Sequence, residues 1–458
     1  MGLGLFGGGV GISRWLHKCG AKITITDLRS PNELKESILA LADLKGITYH
    51  LGKHWINDFT KTDLVVVNPA VPPDSPYLML AKKNHIPLET ENNLFCQLCP
   101  APIIGVTGSN GKTTTAYLIA EMLKGIKSKI WLGGNIGGKS LIEKIHQIKD
   151  CDIVILELSS FQLEDLTRIK KSPHISVATN ISPNHLDRHK TINNYIKAKK
   201  SIIYYQDKSD YAILNLDDKK IRQWSREIRG KTLYFSRHKH PCNGAFIHNN
   251  KIYTSSHGNK HIVSDISDIK LPGDFNQENI LAALSVAMIF KIPPSKLASV
   301  IKTFSGVEHR LEFVTKINGV KYYNDSIATN PTSTIGAINT VSGNIHLILG
   351  GYDKQLPFNE LAKVIMLNYQ RVKSTVLIGA TADKIKDALL KCGQRYIQGE
   401  IIILKAKSLT EAVFLLKRIA KAGDTILLSP ACASFDMFRN FAERGMLFKK
   451  AVKSLKNK

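Results

Sequence analysis

The sequence predicts an α/β protein with mostly parallel sheets, divided into three domains. Short apolar runs of strand length alternate with stretches of helical periodicity along the chain, which is typical of strands joined by helical crossovers. The chain has 458 residues, and a chain of this length usually folds around several hydrophobic cores rather than one. Each third of the chain also contains its own glycine-bearing turn. We therefore expect three α/β domains in series.

The expected strands and helices follow from periodicity. Strands that are buried on both faces are short apolar runs rich in Val, Ile and Leu. Such runs occupy residues 23–26, 64–67, 103–106, 153–156, 175–178, 212–214, 345–349, 376–378 and 425–428. Helical periodicity is clearest over residues 116–124, 280–290 and 409–420.

Two breaks in the pattern mark domain boundaries. One is the proline-rich segment at residues 99–102, and the other is the turn at residues 304–307. The expected domains are therefore residues 1–100, 101–305 and 306–458.

The first domain opens on a glycine-rich turn. Gly2, Gly4 and Gly7 have the spacing Gly-x-Gly-x-x-Gly, and a helical stretch and a strand that ends at Asp27 follow. In Rossmann-like domains such a turn approaches a nucleotide diphosphate, and an acid about 20 residues later binds the ribose. An ordinary helix-start turn and a strand-end turn residue explain the same residues nearly as well.

The sequence has no room for a strand before this turn, because Met1 directly precedes Gly2. In a nucleotide-binding βαβ unit the turn follows a central parallel strand that is buried on both faces. Losing about five apolar residues would forgo burials of roughly 1.5–3 kcal/mol each. We therefore expect the natural chain to begin about 8 to 15 residues upstream, a length that fits one strand and a short lead-in.

The second domain contains the most informative segment, GVTGSNGKTTT at residues 105–115. It follows an apolar run and precedes a helical stretch, and the N–H groups of such a turn form a phosphate cradle. Lys112 can reach the outer phosphates of ATP, and the Thr113 hydroxyl can hold Mg²⁺. The spacing is one residue longer than in G-x-x-x-x-G-K-[ST], with an extra glycine at position 108. These features predict a central sheet of the P-loop ATPase type.

Three further residues of the second domain could serve a metal site. Glu157 and His185 both follow apolar strands, where a carboxylate or an imidazole can bind a metal ion. Alternatively, Glu157 is a helix-start acid near the macrodipole and His185 is structural. Lys199 lies on a helix that carries several lysines, and without further context a solvated lysine face explains it.

Polar residues near the third domain could contact a nucleotide. Asn276 and Asn279 open the predicted helix at 280–290, where their amides could contact adenine or simply cap the helix. Arg310 follows the second domain boundary and is a candidate phosphate clamp.

The third domain has three polar loops at strand ends. They cover residues 324–330, 350–354 and 429–441, and each follows a predicted strand. The carboxyl ends of neighbouring parallel strands share one edge of a sheet, which is where α/β sheets bind ligands. We therefore expect a second binding site at this edge.

Composition limits the remaining possibilities. The formal net charge is +25, which could indicate nucleic-acid binding. The lysines are spread along the chain without interleaved aromatic residues, so a solvated basic surface that attracts anionic substrates is the preferred interpretation. No stretch approaches the roughly 20 apolar residues of a membrane span. The seven cysteines are scattered, and their odd number argues against a disulfide framework.

Taken in order, the motifs resemble those of the Mur ligase family. The matching segments are TGSNGKT, GGNIG, ELSSFQLE, HLDR, Y-x-x-A-K, NDS-x-ATN and SPACASFD-x-F. They cover essentially the whole chain, and ELSSFQLE and SPACAS are the most specific. The resemblance implies a Rossmann-like first domain, a central P-loop domain and a Rossmann-like third domain.

The resemblance also implies a reaction. In the branch of the family that the motifs match, ATP phosphorylates the carboxylate of UDP-N-acetylmuramoyl-L-alanine, and D-glutamate displaces the phosphate during peptidoglycan synthesis. The implied cofactors are ATP, Mg²⁺ (two ions) and a carbamylated lysine. A cytoplasmic monomer with no nucleic-acid partner is expected.

By the same resemblance, site residues can be assigned to roles. The expected catalytic residues are Lys112, His185 and Lys199, and the expected metal ligands are Thr113, Glu157, His185 and Lys199. The expected ATP-binding residues are Gly108, Asn110, Gly111, Lys112, Thr113, Thr114, Asn276, Asn279, Arg310 and Asp325. The expected UDP-substrate-binding residues are Gly4, Asp27, Arg29, Asn135, Ser159 and Gln162. The expected glutamate-binding residues are Thr329, Lys354, Ser434, Phe435 and Phe441.

The implied carbamate on Lys199 requires a neutral amine that can add CO₂. The neighbouring Lys197 and Lys200 are cations, and like charges favour the neutral amine. We therefore expect a lowered pKa for Lys199.

Two departures from the family pattern affect details. Asn184 stands where the family usually has Asp, and Ile327 stands where better-known members have Lys. Three other readings remain open: a folylpolyglutamate synthetase-like ligase, a catalytically silent nucleotide-binding paralogue, and a nucleic-acid-dependent ATPase. The motifs do not decide between D- and L-glutamate.

Overall fold

The computed structural model describes residues 1–4, 7–69, 71–136, 140–182, 189–271, 273–353, 356–396 and 401–455. The chain forms two compact units. Unit one comprises Met1–Ile269 and Asp274–Lys302, and unit two comprises Lys270–Gly273 and Thr303–Lys458. Both units alternate strands with helices, so the predicted α/β class is confirmed. The division into three domains stays a prediction.

Unit one contains thirteen of the described strands. They are β1 (Thr24–Asp27), β2 (Thr48–Leu51), β3 (Val65–Val66), β4 (Leu88–Glu89), β5 (Ile103–Thr107), β6 (Ile130–Gly134), β7 (Ile153–Glu157), β8 (Ile175–Ala178), β9 (Tyr211–Asn215), β10 (Lys231–Ser236), β11 (Gly244–His248), β12 (Lys251–Ser256) and β13 (Asn259–Asp265).

The helices of unit one flank these strands. They are α1 (Gly8–Lys18), α2 (Lys35–Leu39), α3 (Asn57–Thr60), α4 (Pro76–Lys83), α5 (Glu91–Leu98), α6 (Lys112–Leu123), α7 (Ser160–Leu166), α8 (Ile192–Lys200), α9 (Lys219–Arg222), α10 (Phe275–Ile289) and α11 (Pro294–Thr303).

A nine-stranded sheet forms the centre of unit one. Its order is β13-β12-β11-β10-β9-β8-β5-β7-β6. In this order, all neighbours between β11 and β6 pair in parallel. At the other end, β12 and β13 add antiparallel strands. Strand β5 lies between β7 and β8, so the turn that follows β5 opens near the middle of the sheet edge.

The first 100 residues contain two small sheets. Strands β1 and β2 form one parallel pair, and β3 and β4 form another. Each pair has its own buried cluster, one around Ile23 and Ile25 and one around Phe59 and Val65. The core of this region is therefore split in two.

Unit two contains one six-stranded sheet. Its strands are β14 (Glu312–Ile317), β15 (Val320–Asn324), β16 (Ile345–Gly350), β17 (Val372–Ile378), β18 (Ile402–Lys405) and β19 (Thr425–Leu428), in the order β14-β15-β19-β16-β17-β18. Its helices are α12 (Pro331–Thr340), α13 (Asn359–Leu367), α14 (Ala382–Tyr396), α15 (Leu409–Ile419) and α16 (Phe441–Ser454).

All strand pairs of this sheet are parallel except β14 with β15. Strands β15, β19 and β16 are neighbours, so the loops that follow them share one edge of the sheet, as the sequence predicted. Among the helices that the structure describes in either unit, none is long and apolar enough to cross a membrane.

Candidate active site

The turn after β5 contains two glycines at positions that have no room for a side chain. Gly108 has φ +152°, and a Cβ there would lie 1.9 Å from Thr179 Oγ1. Gly111 caps α6 with φ +82°, and a Cβ there would lie 2.1 Å from Asn279 Oδ1. Any side chain would therefore displace these neighbours or strain the backbone.

The end of β8 fixes the shape of this turn. The Asn110 N–H donates to Asn180 Oδ1 at 2.8 Å, and the Thr179 hydroxyl donates to the Asn110 carbonyl at 2.6 Å. The Ser109 hydroxyl donates to the Ser182 carbonyl at 2.9 Å. The turn is thus held in place by side chains from a neighbouring strand before any nucleotide binds.

Lys112 begins α6 and folds back over the turn. Its Nζ donates to the carbonyls of Gly108 and Ser109, each at 3.1 Å. Neutral carbonyl acceptors bind an ammonium less strongly than phosphate oxygens do. A phosphate that enters the turn could therefore replace these two carbonyls as acceptor.

Side-chain oxygens that could bind a metal ion come together at Thr113, the residue after Lys112. The Thr113 hydroxyl donates to Glu157 Oε2 at 2.5 Å, and Asn135 Nδ2 donates to Glu157 Oε1 at 3.2 Å. Glu157 ends β7 and is buried. A hydroxyl and a carboxylate beside a phosphate cradle fit Mg²⁺, which prefers oxygen ligands.

Lys199 is buried close to these residues. Its side chain is 2% exposed, and its Nζ donates to Thr107 Oγ1 at 3.3 Å. Burial, and then the nearby Lys112 cation, lower the pKa of Lys199 well below its usual value, while Glu157 acts in the opposite direction. The predicted direction agrees, although the principal causes are burial and Lys112 rather than Lys197 and Lys200.

Two amides on α10 complete the turn. Asn279 Oδ1 accepts a hydrogen bond from Thr115 Oγ1 at 3.2 Å, and Asn279 Nδ2 donates to Asn276 Oδ1 at 2.9 Å. The helix begins at Phe275, so both residues lie in its first turns rather than before it. Asn279 therefore supports the turn directly.

The proposed sugar-nucleotide residues fall into two groups. The Gly4 N–H donates to Asp27 Oδ2 at 3.2 Å, and the Arg29 N–H donates to Asp27 Oδ1 at 2.9 Å. Ser159 and Gln162 instead form the capping box of α7. Gly4, Asp27 and Arg29 thus come together at the carboxyl end of β1, as a nucleotide site requires.

In unit two, Asp325 is buried at the carboxyl end of β15. It accepts hydrogen bonds from the Ser429 hydroxyl at 2.8 Å and from the Leu311 N–H at 3.1 Å. Burial raises the pKa of Asp325 to about 7, against the opposing effects of these hydrogen bonds and of Arg310. Asp325 therefore links the loops that follow β15 and β19.

Arg444 joins the same loops from α16. Its guanidinium donates to the Ser326 hydroxyl and carbonyl at 3.0 and 2.8 Å. It also donates to the carbonyls of Ala433 and Cys432 at 3.1 and 3.0 Å. The side chain is fully buried, so it holds the candidate glutamate loops together.

The other candidates of unit two lie around this link. Ser434 is buried beside Ala433, and the Phe435 ring lies 6.1 Å from that of Tyr352. The Phe441 carbonyl accepts a hydrogen bond from the Ser326 hydroxyl at 2.7 Å. The candidate Thr329 is half-buried, and the candidate Arg310 is exposed.

Two of the predicted site residues, His185 and Lys354, lie outside the described residues, as does Asn184.

Among the described residues, Glu308, His309 and Glu312 form a further group whose side chains could bind a metal ion. The Lys449 ammonium donates to both carboxylates there, at 2.5 and 3.0 Å. Because this lysine supplies a cation, the group is better explained as an ion-pair cluster.

Sequence reasoning did not single out Thr107, Thr179 or Arg444. Thr107 contacts Lys199, and Thr179 packs on Gly108, so both support the ATP-type site. The sequence indicated Thr107 and Thr179 only through their position beside motif residues. Arg444 follows the last motif by a few residues and carried no signal of its own.

The chain is similar to known proteins in sequence and in fold. Three family models match: a Mur ligase MurD-like N-terminal domain at residues 1–89, a Mur ligase middle domain at 106–287 and a Mur ligase glutamate ligase domain at 309–432. The chain is 44% identical to a UDP-N-acetylmuramoylalanine–D-glutamate ligase of Acetivibrio thermocellus over 98% of this chain and 95% of the relative. It is 40% identical to the ligase of the same name from Symbiobacterium thermophilum, covering 98% and 97%.

Solved structures share the fold. The UDP-N-acetylmuramate-alanine ligase MurC of Thermotoga maritima superposes with a TM-score of 0.59 at 18% identity, covering 98% of both chains. The MurF ligase of Thermotoga maritima, solved with ADP, gives a TM-score of 0.58 at 16% identity, covering 94% of this chain and 95% of that one.

Proposed function

Since this chain belongs to the Mur ligase family, we propose that its three groups of site residues serve one ligation reaction. The chain is an ATP-dependent ligase of peptidoglycan synthesis. It joins the amine of D-glutamate to the alanine carboxyl group of UDP-N-acetylmuramoyl-L-alanine.

The reaction has two covalent steps. A carboxylate oxygen of the alanine attacks the γ-phosphorus of ATP, the bond to the β-phosphate oxygen breaks, and ADP leaves. The glutamate amine then attacks the acyl carbon, inorganic phosphate leaves with the bonding electron pair, and the nitrogen loses a proton. The products are the amide, ADP and phosphate.

The observation that carries this proposal is the grouping of Thr113, Glu157 and Lys199 around the turn after β5. Thr113, Glu157, His185 and a carbamylated Lys199 would hold Mg²⁺, with two ions expected. When bound, Mg²⁺ neutralises phosphate charge as the phosphoryl group transfers.

The protein positions ATP through the turn itself. The N-terminus of α6, with the N–H groups of residues 111–114, would face the phosphates. Lys112 exchanges its two carbonyl acceptors for phosphate oxygens, and its cation stabilises the charge that develops during transfer. Asn276, Asn279, Arg310 and Asp325 are assigned to the nucleotide.

The carboxyl edge of the unit two sheet is assigned to glutamate. Thr329, Ser434 and Phe435 lie on loops that the buried Asp325 and Arg444 connect, and Phe441 begins α16 next to them. Lys354 offers a cation for the glutamate side-chain carboxylate. Gly4, Asp27 and Arg29 are assigned to the UDP moiety, together with Asn135, Ser159 and Gln162.

Lys199 is proposed to carry a carbamate. Its buried amine has a lowered pKa, and a neutral amine can attack CO₂ with loss of one proton. The product is an anionic oxygen ligand of the kind that Mg²⁺ binds.

Lys199→Ala tests this role. We expect activity close to background and partial rescue by a small carboxylic acid, which would replace the lost carbamate oxygens. Lys197→Ala, at an exposed position on the same helix, is the matched control and should keep its activity. Full activity of Lys199→Ala would contradict the carbamate role.

The function is tested by phosphate release from ATP. Release should require both UDP-N-acetylmuramoyl-L-alanine and glutamate, because the acyl phosphate forms only on a bound carboxylate. D-glutamate should support turnover and L-glutamate should not. Equal release with a folate in place of the nucleotide sugar would overturn the assignment.

We also propose a cellular location and an oligomeric state. A cytoplasmic location follows from the use of ATP and a UDP-activated sugar, which are both intracellular metabolites. A monomer follows from the presence of all three groups of site residues in one chain.

A further inference from the structure

The loop after β17 lies at the same edge of the unit two sheet as the candidate glutamate loops, although its sequence did not single it out. Strand β17 pairs in parallel with β16, so residues 379–381 lie beside the loop that follows Gly350. A Cβ on Gly379 would lie 2.9 Å from Gly351 Cα and 2.2 Å from Asp436 Oδ2. The loop after β17 therefore packs against the loops after β16 and β19.

Thr381 ends this loop and directly precedes α14. Its carbonyl accepts a hydrogen bond from the Ile385 N–H at 3.0 Å, and the side chain of a threonine in such a position commonly caps its own helix. Here the hydroxyl bonds to Gly351 instead. Thr381 Oγ1 accepts from the Gly351 N–H at 3.1 Å and donates to the Gly351 carbonyl at 3.0 Å. One side chain thus holds both backbone groups of Gly351.

Cys432, on the loop after β19, makes a third contact with this hydroxyl. Its Sγ lies 3.2 Å from Thr381 Oγ1. Burial raises the pKa of the Cys432 thiol to about 11, despite its contact with Thr381, so the thiol keeps its proton at neutral pH. Because the single hydroxyl proton of Thr381 goes to Gly351, the thiol is the donor of this bond. The hydroxyl therefore joins the loops after β16 and β19.

The backbone that Thr381 holds leads directly into the candidate glutamate loops. The Tyr352 N–H donates to the Ala433 carbonyl at 2.9 Å, and Ala433 precedes Ser434. The Tyr352 ring also lies 6.1 Å from the ring of Phe435. A shift of Gly351 would therefore move Tyr352 and disturb the two residues assigned to glutamate.

We infer that Thr381 is a positioning residue for the amino-acid substrate. It fixes Gly351 and, through it, the loops that carry Ser434 and Phe435. Thr381 is 1% exposed, so it acts through Gly351 rather than by touching the substrate. The inference rests on the proposed assignment of this edge of the sheet to glutamate.

Asp436 holds the loop after β17 from a second point. Its Oδ2 accepts a hydrogen bond from the Ala380 N–H at 2.8 Å. Asp436 is exposed, so this bond can be removed without opening the core. It provides a second variant that tests the same inference.

The principal test is Thr381→Val, which keeps the shape of the side chain and removes the hydroxyl. The Gly351 N–H then loses its acceptor, and we expect KM for D-glutamate to rise by about tenfold or more. At saturating glutamate, kcat should stay within about threefold of the wild type, as should KM for ATP. Thr381→Ser restores the hydroxyl and should return KM for D-glutamate to near the wild-type value. Steady-state phosphate release measures all of these constants.

Thr375→Val is the matched control. Thr375 lies in β17 and is buried, and its hydroxyl has no hydrogen-bond partner among the residues that the structure describes. Its loss should leave KM for D-glutamate unchanged and should not lower Tm, because no bond is broken. Asp436→Ala should raise KM for D-glutamate by a smaller factor than Thr381→Val, since only the bond to Ala380 is lost.

Hydrogen exchange gives a readout that needs no substrate. The Gly351 amide should exchange about tenfold faster or more in Thr381→Val than in the wild type. Unchanged exchange, an unchanged KM for D-glutamate, or an equal rise of KM for all three substrates would overturn the inference. If Thr381→Val does not fold, an unchanged KM in Asp436→Ala would overturn it instead. A failure of the proposed function differs from all of these, because it appears in the wild type as phosphate release that does not require glutamate.

Discussion

Two glycines of unit one that cap helices after glycine-rich segments have nearly the same backbone angles but different surroundings. Gly7 caps α1 with φ 84° and ψ −18°, and Gly111 caps α6 with φ 82° and ψ −9°. The second turn follows β5, which pairs with strands on both sides. The first follows Met1 and Gly2, which line a cavity together with residues 21–26 and 61–69.

The difference shows that a phosphate-type turn depends on what lies behind it. Around the second turn, Thr179, Asn180 and Asn279 hold the loop from two other elements. Around the first turn, the two strand pairs are connected through residues 1 and 2. The second turn is thus held by side chains from two other elements, whereas the backbone of residues 1 and 2 connects the strands beside the first turn.

The largest expected effect lies in the second turn. Lys112→Ala should lower turnover by about 10²–10³, because electrostatic stabilisation of a transferring group is commonly worth roughly 3–4 kcal/mol. Steady-state phosphate release measures this effect. Lys124→Ala, on the exposed end of the same helix, is the control and should match the wild type. A Lys112→Ala enzyme of near wild-type rate would show that the turn does not serve phosphate transfer.

Gly108→Ala tests how far the neighbours fix the second turn. The new Cβ would lie 1.9 Å from Thr179 Oγ1, so the loop must move and we expect ATP affinity to fall at least tenfold. Gly20 also has a positive φ, of 81°, but nothing lies within 4 Å of a Cβ there, so Gly20→Ala carries backbone strain of roughly 1–2 kcal/mol without a clash. Nucleotide titration should show normal affinity in that control. Normal affinity in Gly108→Ala would mean that the loop is adaptable rather than preorganised.

The smallest expected effect is a pH dependence near the first turn. Glu91 lies close to Gly8, at the start of α1, and accepts a hydrogen bond from Ser140. Burial, reinforced by Glu143, raises the pKa of Glu91 from 4.5 to about 7, despite the Ser140 bond. The folded state therefore keeps a proton that the unfolded chain releases between pH 4.5 and 7.

This proton makes stability fall as pH rises through that window. Relative to Glu91→Gln, the wild type should lose a few degrees of Tm between pH 4.5 and 7 and little beyond. The Met1 ammonium, whose pKa is also shifted, is common to both proteins and cancels in the difference. A difference in Tm that does not vary with pH would contradict the shift of Glu91.

Local motifs allowed the second turn to be predicted closely. The expected strand at 103–106 is confirmed as β5 (Ile103–Thr107), and a turn at residues 108–111 leads into α6 (Lys112–Leu123). Strand, turn and helix are specified there by adjacent residues, so periodicity and glycine spacing suffice. The roles of the site residues stay predictions.

Features that depend on distant residues could not be predicted. Strands β12 and β13 mix apolar residues with Lys, Asn and His at exposed positions, so no long apolar run marks them. The lowered pKa of Lys199 was expected from Lys197 and Lys200. Lys200 instead pairs with Glu227, and Lys112 comes close only in the folded chain.

The contact between Asn279 and the phosphate turn has a consequence for the order of folding during synthesis. Asn279 meets Thr115 across 164 residues of chain. At roughly 5–20 residues per second, about 8–33 s of translation separate the two. We expect a nascent chain that ends before residue 275 to present β5 and its turn without the ability to retain ATP, which nucleotide binding to stalled ribosome complexes of different lengths would measure.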